Sequence, residues 1–166
     1  MEFTRIIEKQ KEVIEAVRAR NIGSGFEVES WEELENLTFA FHVELMELAN
    51  EVGFFKHWKQ SHEPDRAKVL EELVDCFAFL MHVSIIKGYV NMFKGIHADE
   101  FMVENADLMS LFFELKRNNL ESSGQTIQAL YHLVLLTAKL GFTDAELEQA
   151  YMDKSEKNIK RQKEGY

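Results

Sequence analysis

Four carboxylates in two short motifs have the residue type and spacing that bind metal ions. Glu44 and Glu47 stand three residues apart in the segment FHVELMELANE, and Glu72 and Asp75 repeat that spacing in LEELVDCFAFLMH. Residues three apart lie on neighbouring faces of an α-helix, one turn from each other. If both segments are helical, each motif presents two carboxylates side by side.

The apolar surroundings of these motifs distinguish them from the other acidic pairs of the chain. The Glu-x-x-Glu pair Glu12 and Glu15, for example, lies among further charged residues, so a solvated helix face explains it. Like charges among apolar side chains are unfavourable unless a cation compensates them. Oxygen ligands alone favour Mg²⁺ or Mn²⁺ over softer metals. We therefore predict a Mg²⁺ site at Glu44, Glu47, Glu72 and Asp75, with exposed or ion-paired carboxylates as the alternative.

The positions of the histidines exclude two other kinds of metal site. None of the six histidines follows a glutamate by three residues, as the di-iron four-helix bundles require. The HExxH motif of zinc proteases is also absent. Two acidic motifs that bind magnesium indicate chemistry at a phosphate, because paired metals can hold both the attacking and the leaving oxygen.

Length, charge and cysteine content narrow the class of protein. At 166 residues with a net charge of −10, the chain is expected to form one domain, residues 1–166, that binds neither nucleic-acid polymers nor anionic membranes. Its longest apolar run, Cys76 to Ile86, is shorter than the roughly 20 residues of a membrane span, and its charged beginning does not resemble a signal peptide. Cys76 is the only cysteine, so no intrachain disulfide can form. We expect a cytoplasmic protein with a buried, reduced thiol.

Helical periodicity throughout the chain predicts an all-α fold, a helical bundle with a four-helix core and about six helices. Gly, Pro and capping residues set the expected boundaries. The first predicted helix begins at Phe3, the second runs from the Ser30/Glu33 capping box to Gly53, and the third runs from Pro64 to Gly88. The fourth runs from the segment 94–98 to Asn118, and the fifth ends at Gly141. The last helix begins at the Thr143/Glu146 capping box.

Several polar or aromatic residues outside the acidic motifs are candidates for substrate binding. Lys56 and Lys59 could neutralise phosphates or simply be solvated, and Trp58 could stack on a base or belong to the core. Gln10 occupies a position of the first helix that should be apolar, where its amide could read the edge of a base or belong to a capped or water-satisfied core glutamine. The sequence leaves these alternatives open.

The last helix changes character along one face. Its stripe begins with Leu147 and Tyr151 and continues at helical spacing with Lys154, Asn158 and Arg161. A face that starts apolar and becomes basic is typical of a helix that packs at one end and binds an anionic ligand at the other. An exposed basic helix is the alternative.

These motifs together resemble a known enzyme family. The two acidic motifs, in this order, are similar to the signature of the all-α nucleoside triphosphate pyrophosphohydrolases, the MazG-like superfamily. The segments ELMELANEVGFFKHWK and LEELVDCFAFLMH further resemble the dimeric all-α dUTPases, and Gln10 falls at the position of that family's first-helix glutamine. Ile14 departs from the family, which often has an acidic residue there. The residues of the family's closing motif are Tyr151, Lys154, Asn158, Arg161, Gln162, Gly165 and Tyr166.

The resemblance implies Mg²⁺-dependent hydrolysis of dUTP, and also of dUDP. For dUTP the products are dUMP and pyrophosphate, and the four motif carboxylates hold two or three ions. Glu47 orients the attacking water and accepts its proton. The predicted substrate contacts are Lys56, Lys59, Lys154 and Arg161 for the phosphates, Gln10, Trp58 and Asn158 for the nucleoside, and additionally Asn50 and Tyr151.

The resemblance also implies a homodimer, for which the apolar fourth and fifth helices could supply the interface. Two other functions stay open at this point. One is a pyrophosphohydrolase of the same superfamily that acts on dCTP or a modified nucleotide. The other is a non-catalytic helical dimerisation module that has kept the fold.

Overall fold

Seven α-helices form most of the protein in a computed structural model that describes residues 3–24, 30–61 and 63–165. They are α1 (Thr4–Ser24), α2 (Ser30–Val52), α3 (Arg66–Ile86), α4 (Glu100–Asn105), α5 (Leu108–Arg117), α6 (Ser123–Lys139) and α7 (Asp144–Lys163). A single 3-10 turn, Val90–Met92, lies between α3 and α4. The described residues contain no β-strand, which confirms the predicted all-α class. None of the described helices combines the length and hydropathy of a membrane span.

Several predicted helix ends are present in the structure. Thr143 and Glu146 form a reciprocal capping box that opens α7. The carboxylate of Asp65 accepts backbone N–H groups of the first turn and opens α3. Gly53 follows the last residue of α2 at φ +67°, a left-handed conformation that glycine adopts without strain. The side chain of Ser30, part of the other predicted capping box, lies outside the described residues.

The predicted fourth helix is observed as two helices, α4 and α5. Ala106, between them, is extended at φ −68° and ψ 133°, so the helical hydrogen-bond pattern stops there. The carboxylate of Asp107 then accepts the backbone N–H of Ser110 at 2.8 Å and caps a new helix. Because of this break, the described residues contain seven α-helices rather than about six.

Helix α3 lies at the centre of the fold and contacts α1, α2, α6 and α7. Leu73, Phe77 and Leu80 on α3 are completely buried, as are Phe41 and Leu45 on α2. Contacts between α1 and α7, and between each of them and α3, complete the four-helix core. Because α2 packs along α3, the two acidic motifs lie next to each other. Helix α6 packs against α3 and α5 and carries none of the motif residues itself.

The single cysteine, Cys76, is part of this core. Its side chain is completely buried on α3, directly after the motif residue Asp75. Burial, reinforced by the charges of nearby carboxylates, raises the pKa of the thiol well above its ordinary value. Cys76 is therefore a protonated apolar packing residue in the folded protein.

Candidate active site

Three carboxylates from two helices converge at one place. Glu44 on α2 and Glu72 and Asp75 on α3 each offer an oxygen, and these oxygens lie within 4.8 Å of one another. All three residues are half-buried. We refer to Glu44, Glu72 and Asp75 as the acidic cluster.

Burial and mutual repulsion of the carboxylates raise the pKa values of the acidic cluster. Partial burial and the charges of Asp75, Glu47 and Glu72 raise the pKa of Glu44 to about 7. Burial and neighbouring carboxylates also raise the pKa of Glu72 and of Asp75. The cluster therefore carries more negative charge than the protein compensates, and its ligands are all oxygen. Both properties fit a hard divalent cation such as Mg²⁺.

Glu47 lies next to the acidic cluster but outside it. Its side chain is exposed one turn after Glu44, and its charge contributes to the raised pKa of all three cluster carboxylates. Glu47 also lines a surface groove of about 490 Å³ with Asn50 and apolar residues of α2. The four predicted metal ligands thus divide into three convergent carboxylates and one that faces the groove.

Lys154 on α7 is the cation nearest to the acidic cluster. Its ammonium donates hydrogen bonds to Asp75 Oδ2 and to Glu71 Oε1, each at 2.7 Å. The structure therefore brings one predicted phosphate-binding residue directly to the predicted metal site. Glu71 was not among the site residues predicted from the sequence. Its position four residues before Asp75, on the same helix face, was the available signal.

Gln10 and Tyr151 contact each other in the core between α1 and α7. The Tyr151 hydroxyl donates a hydrogen bond to the side-chain carbonyl of Gln10, and Gln10 is only 4% exposed. Tyr151 is completely buried, which raises the pKa of its hydroxyl far above its ordinary value. Gln10 therefore lies in the core, as the second interpretation expected, and its side-chain carbonyl has the Tyr151 hydroxyl as its partner. Contact of either residue with a substrate stays a prediction.

The segment between α2 and α3 presents an aromatic side chain to solvent. Trp58 is 64% exposed, so the alternative that it belongs to the core is wrong. Its ring contacts Phe55 and His57 at centroid distances of 5.8 and 5.2 Å. Lys56 donates a hydrogen bond to the backbone carbonyl of Asn50 at 2.6 Å and so joins this segment to the end of α2.

The remaining candidates differ in exposure. Lys59 is exposed, whereas Asn158 and Arg161 are half-buried on α7, beyond Lys154. The hydrogen bond from Lys154 lowers the pKa of Glu71, and the positive charge of Arg161 contributes further. The basic face of α7 therefore extends from the acidic cluster toward the end of the helix.

A second feature of the site region is an apolar surface that α2 shares with α5, a part of the predicted fourth helix. Phe39, Val43 and Met46 on α2 and Met109 and Phe113 on α5 are exposed. A groove of about 420 Å³ between α2 and α5 includes Met46 and both α5 residues. By contrast, the leucines of α6 are buried within their own chain. Of the two helices predicted to form a dimer interface, only the fourth, observed as α4 and α5, presents large exposed apolar side chains.

Comparison with known proteins gives one match. A family model described as dUTPase matches residues 2–166, which include both acidic motifs and all of α7. Searches of curated proteins and of solved structures found no significant match.

Proposed function

This chain belongs to the dUTPase family, and we propose that it hydrolyses dUTP to dUMP and pyrophosphate by a Mg²⁺-dependent reaction at the acidic cluster. Membership of the family confirms the resemblance inferred from the motifs and makes the protein a dUTP diphosphatase. The convergence of oxygens from Glu44, Glu72 and Asp75 within 4.8 Å is the observation that carries the metal-dependent part of the proposal.

In this proposal, Glu44, Glu72 and Asp75 hold Mg²⁺, with Glu47 as a further ligand where two or three ions bind. The raised pKa values of the cluster support it, because a bound cation would keep these carboxylates ionised near neutral pH. Bound Mg²⁺ would neutralise phosphate charge and make the attacking water more acidic. Mn²⁺, which has similar ligand preferences, could replace it.

Glu47 is the proposed general base. Its exposed carboxylate lines the groove one helical turn after Glu44, which supports a role beside a triphosphate held at the acidic cluster. Glu47 would orient this water toward the α-phosphorus and accept its proton. The new bond joins the water oxygen to the α-phosphorus. The bond from the α-phosphorus to the oxygen that bridges the α- and β-phosphates breaks. Pyrophosphate leaves, and the water oxygen stays on dUMP.

Basic residues of α7 and of the segment after α2 would neutralise the phosphates in this proposal. Lys154 and Arg161 lie on the basic face of α7, and Lys56 and Lys59 lie in the segment after α2. The same residues could hold a diphosphate, so we include dUDP among the proposed substrates.

The nucleoside contacts rest on fewer observations. The exposed ring of Trp58 is available to stack on a base. Asn50 lines the groove beside Glu47, and Asn158 follows Lys154 by one helical turn. The buried pair Gln10 and Tyr151 would need to exchange its hydrogen bond for one to the base.

We further propose that two copies of the chain pair through the apolar surface of α2 and α5. Phe39, Val43, Met46, Met109 and Phe113 expose contiguous apolar area of the kind that marks interaction sites. A two-fold interface would bury this area on both copies. Glu47 and Asn50 line the 490 Å³ groove together with Phe39, Val43 and Met46 of this apolar surface. The interface would therefore also cover part of the site.

A nucleotide panel tests the proposal, with detection of the nucleoside monophosphate, of pyrophosphate from the triphosphates and of orthophosphate from dUDP. Purified protein is incubated with dUTP, dUDP, dCTP and the other common nucleotides, with Mg²⁺ or with EDTA. We expect dUTP to yield dUMP and pyrophosphate in equal amounts, and no turnover in EDTA. Hydrolysis that continues in EDTA would overturn the metal-dependent proposal. Preference for dCTP would favour the other pyrophosphohydrolase, and no turnover of any nucleotide would favour the non-catalytic module.

A further inference from the structure

Lys154 occupies a position that conflicts with a metal ion in the acidic cluster. Its ammonium lies 2.7 Å from Asp75 Oδ2, and Asp75 is one of the three carboxylates that converge. The side chain of Lys154 is 20% exposed, and that of Asp75 is 17% exposed. This is therefore a shielded, charge-assisted hydrogen bond rather than a solvated surface pair.

We propose that Lys154 is the internal counter-ion of the acidic cluster, which Mg²⁺ displaces from Asp75 when it binds, and that Glu71 retains the released ammonium. The inference rests on the Mg²⁺-dependent function proposed above. It adds an exchange between two cations on one carboxylate, and it assigns a positioning role to Glu71.

Charge is the first argument for exchange. With the ammonium and a divalent ion on the same partly buried carboxylate, two positive charges would repel each other at close range. The acidic cluster also attracts Lys154 most strongly when no metal is present, since the positive charge of Lys154 then acts on all three of its carboxylates. Metal binding removes that attraction.

The position of Glu71 is the second argument. Its carboxylate accepts the same ammonium at 2.7 Å, is half exposed and does not belong to the acidic cluster. Lys154 already contacts both carboxylates, so it can release Asp75 and keep Glu71 by rotation about its terminal bonds. A lysine side chain has enough flexibility for this movement without a shift of α7.

Mg²⁺ affinity and thermal stability, measured without nucleotide, test the exchange. The test variant is Lys154→Met, which removes the charge and keeps an unbranched side chain. The matched control is Lys160→Met on the same helix, where Lys160 forms an exposed ion pair with Glu164 at 3.7 Å. Calorimetry gives the Mg²⁺ affinity of each protein, and thermal unfolding in EDTA and in saturating Mg²⁺ gives their stability.

Exchange predicts opposite effects in the two conditions. Lys154→Met should bind Mg²⁺ about tenfold more tightly than wild type, because no ammonium has to be displaced. In EDTA its Tm should be lower by about 2–4 °C, because the acidic cluster has lost its counter-ion. In saturating Mg²⁺ that deficit should disappear. Lys160→Met should match wild type in all three measurements.

Several results would overturn the proposal. One is unchanged or weaker Mg²⁺ binding by Lys154→Met. Another is a Tm deficit of Lys154→Met that is equal in EDTA and in Mg²⁺, because Lys154 would then stay on Asp75 beside the metal. If wild type binds Mg²⁺ but Lys154→Met behaves like it, only the exchange fails. If wild type binds no Mg²⁺, the proposed metal-dependent function fails with it.

A measurement on the wild-type chain applies even if Lys154→Met does not fold. The side-chain ammonium of Lys154 can be observed by ¹⁵N NMR and assigned by its absence from Lys154→Arg. Addition of Mg²⁺ should shift this signal or broaden it, because its partner changes from two carboxylates to one. A signal that Mg²⁺ leaves unchanged would contradict the exchange.

Discussion

The hydroxyl of Tyr151 donates a hydrogen bond to the side-chain carbonyl of Gln10 and links α7 to α1 inside the core. The variant Tyr151→Phe would leave that buried carbonyl without its partner. We expect it to lower the free energy of unfolding by about 1–3 kcal/mol, as measured by urea denaturation. Tyr131→Phe, a half-buried tyrosine on α6, is the control. Equal stability of Tyr151→Phe and wild type would show that the hydrogen bond contributes nothing.

Glu47→Gln should separate catalysis from folding. Because Glu47 is exposed, the variant should keep the Tm of wild type. It should lower kcat for dUTP by at least about 100-fold, because glutamine cannot accept the proton of the attacking water. Glu35→Gln, also exposed on α2, should retain full activity. If Glu47→Gln kept most of its rate, Glu47 would not be the general base.

The beginning of α7 should make stability depend on pH. Backbone and side-chain hydrogen bonds from Thr143 and the ion pair with Arg66 lower the pKa of Glu146 to about 2. A carboxyl group with a lowered pKa stabilises the folded state above its ordinary pKa and loses this contribution as the pH falls toward the folded-state value. Glu146→Gln should therefore have a lower Tm than wild type at pH 7, and the difference should shrink toward pH 3.

The control for this pH series is Glu156→Gln, an exposed glutamate on the same helix. Thermal unfolding of the three proteins is compared at several values between pH 7 and pH 3. A difference between Glu146→Gln and wild type that stays constant over this range would contradict the prediction.

The proposed dimer can be tested at the apolar surface of α2. Phe39 is 72% exposed and lies on α2, five positions before Glu44. Light scattering should give wild type a mass twice that of the 19.4 kDa chain. Phe39→Glu should reduce it to one chain, because a charge would be buried in an apolar interface. Met92→Glu, at an exposed methionine of the 3-10 turn, should stay dimeric. A monomeric wild type would refute the proposal.

The local part of the site could be predicted from sequence because helix geometry alone determines it. The spacing of Glu44 and Glu47, and of Glu72 and Asp75, placed each pair on one helix face, and both segments are helical. The apolar residues around them are largely buried in the core, as their sequence setting indicated. The capping box at Thr143 followed in the same way from residues three apart.

Tertiary packing decided what the sequence left open. Glu44 converges with Glu72 and Asp75 on α3, whereas Glu47, one turn away, faces the groove. Which of the two glutamates joins the acidic cluster depends on how α2 is rotated against α3. Nor could helical spacing show that Lys154 reaches Asp75 across 79 positions of the chain. The burial of Gln10 and the exposure of Trp58 are likewise properties of the packed chain.

The break at Ala106 is a feature that the sequence prediction missed although its signal lies in the neighbouring residues. Asn105 and Asp107 flank it, and both residue types favour helix ends over helix interiors. The apolar residues on either side were sufficient to suggest one continuous helix. Capping by Asp107 outweighed that pattern.

The complete burial of the only cysteine has a practical consequence for experiments on this protein. Thiol reagents can reach Cys76 only when α3 separates from its neighbours, so the rate of its labelling under native conditions reports the opening of the core. A cysteine introduced at an exposed position such as Glu156 would react first. A fluorophore or spin label could therefore be attached to α7 without removing the native thiol.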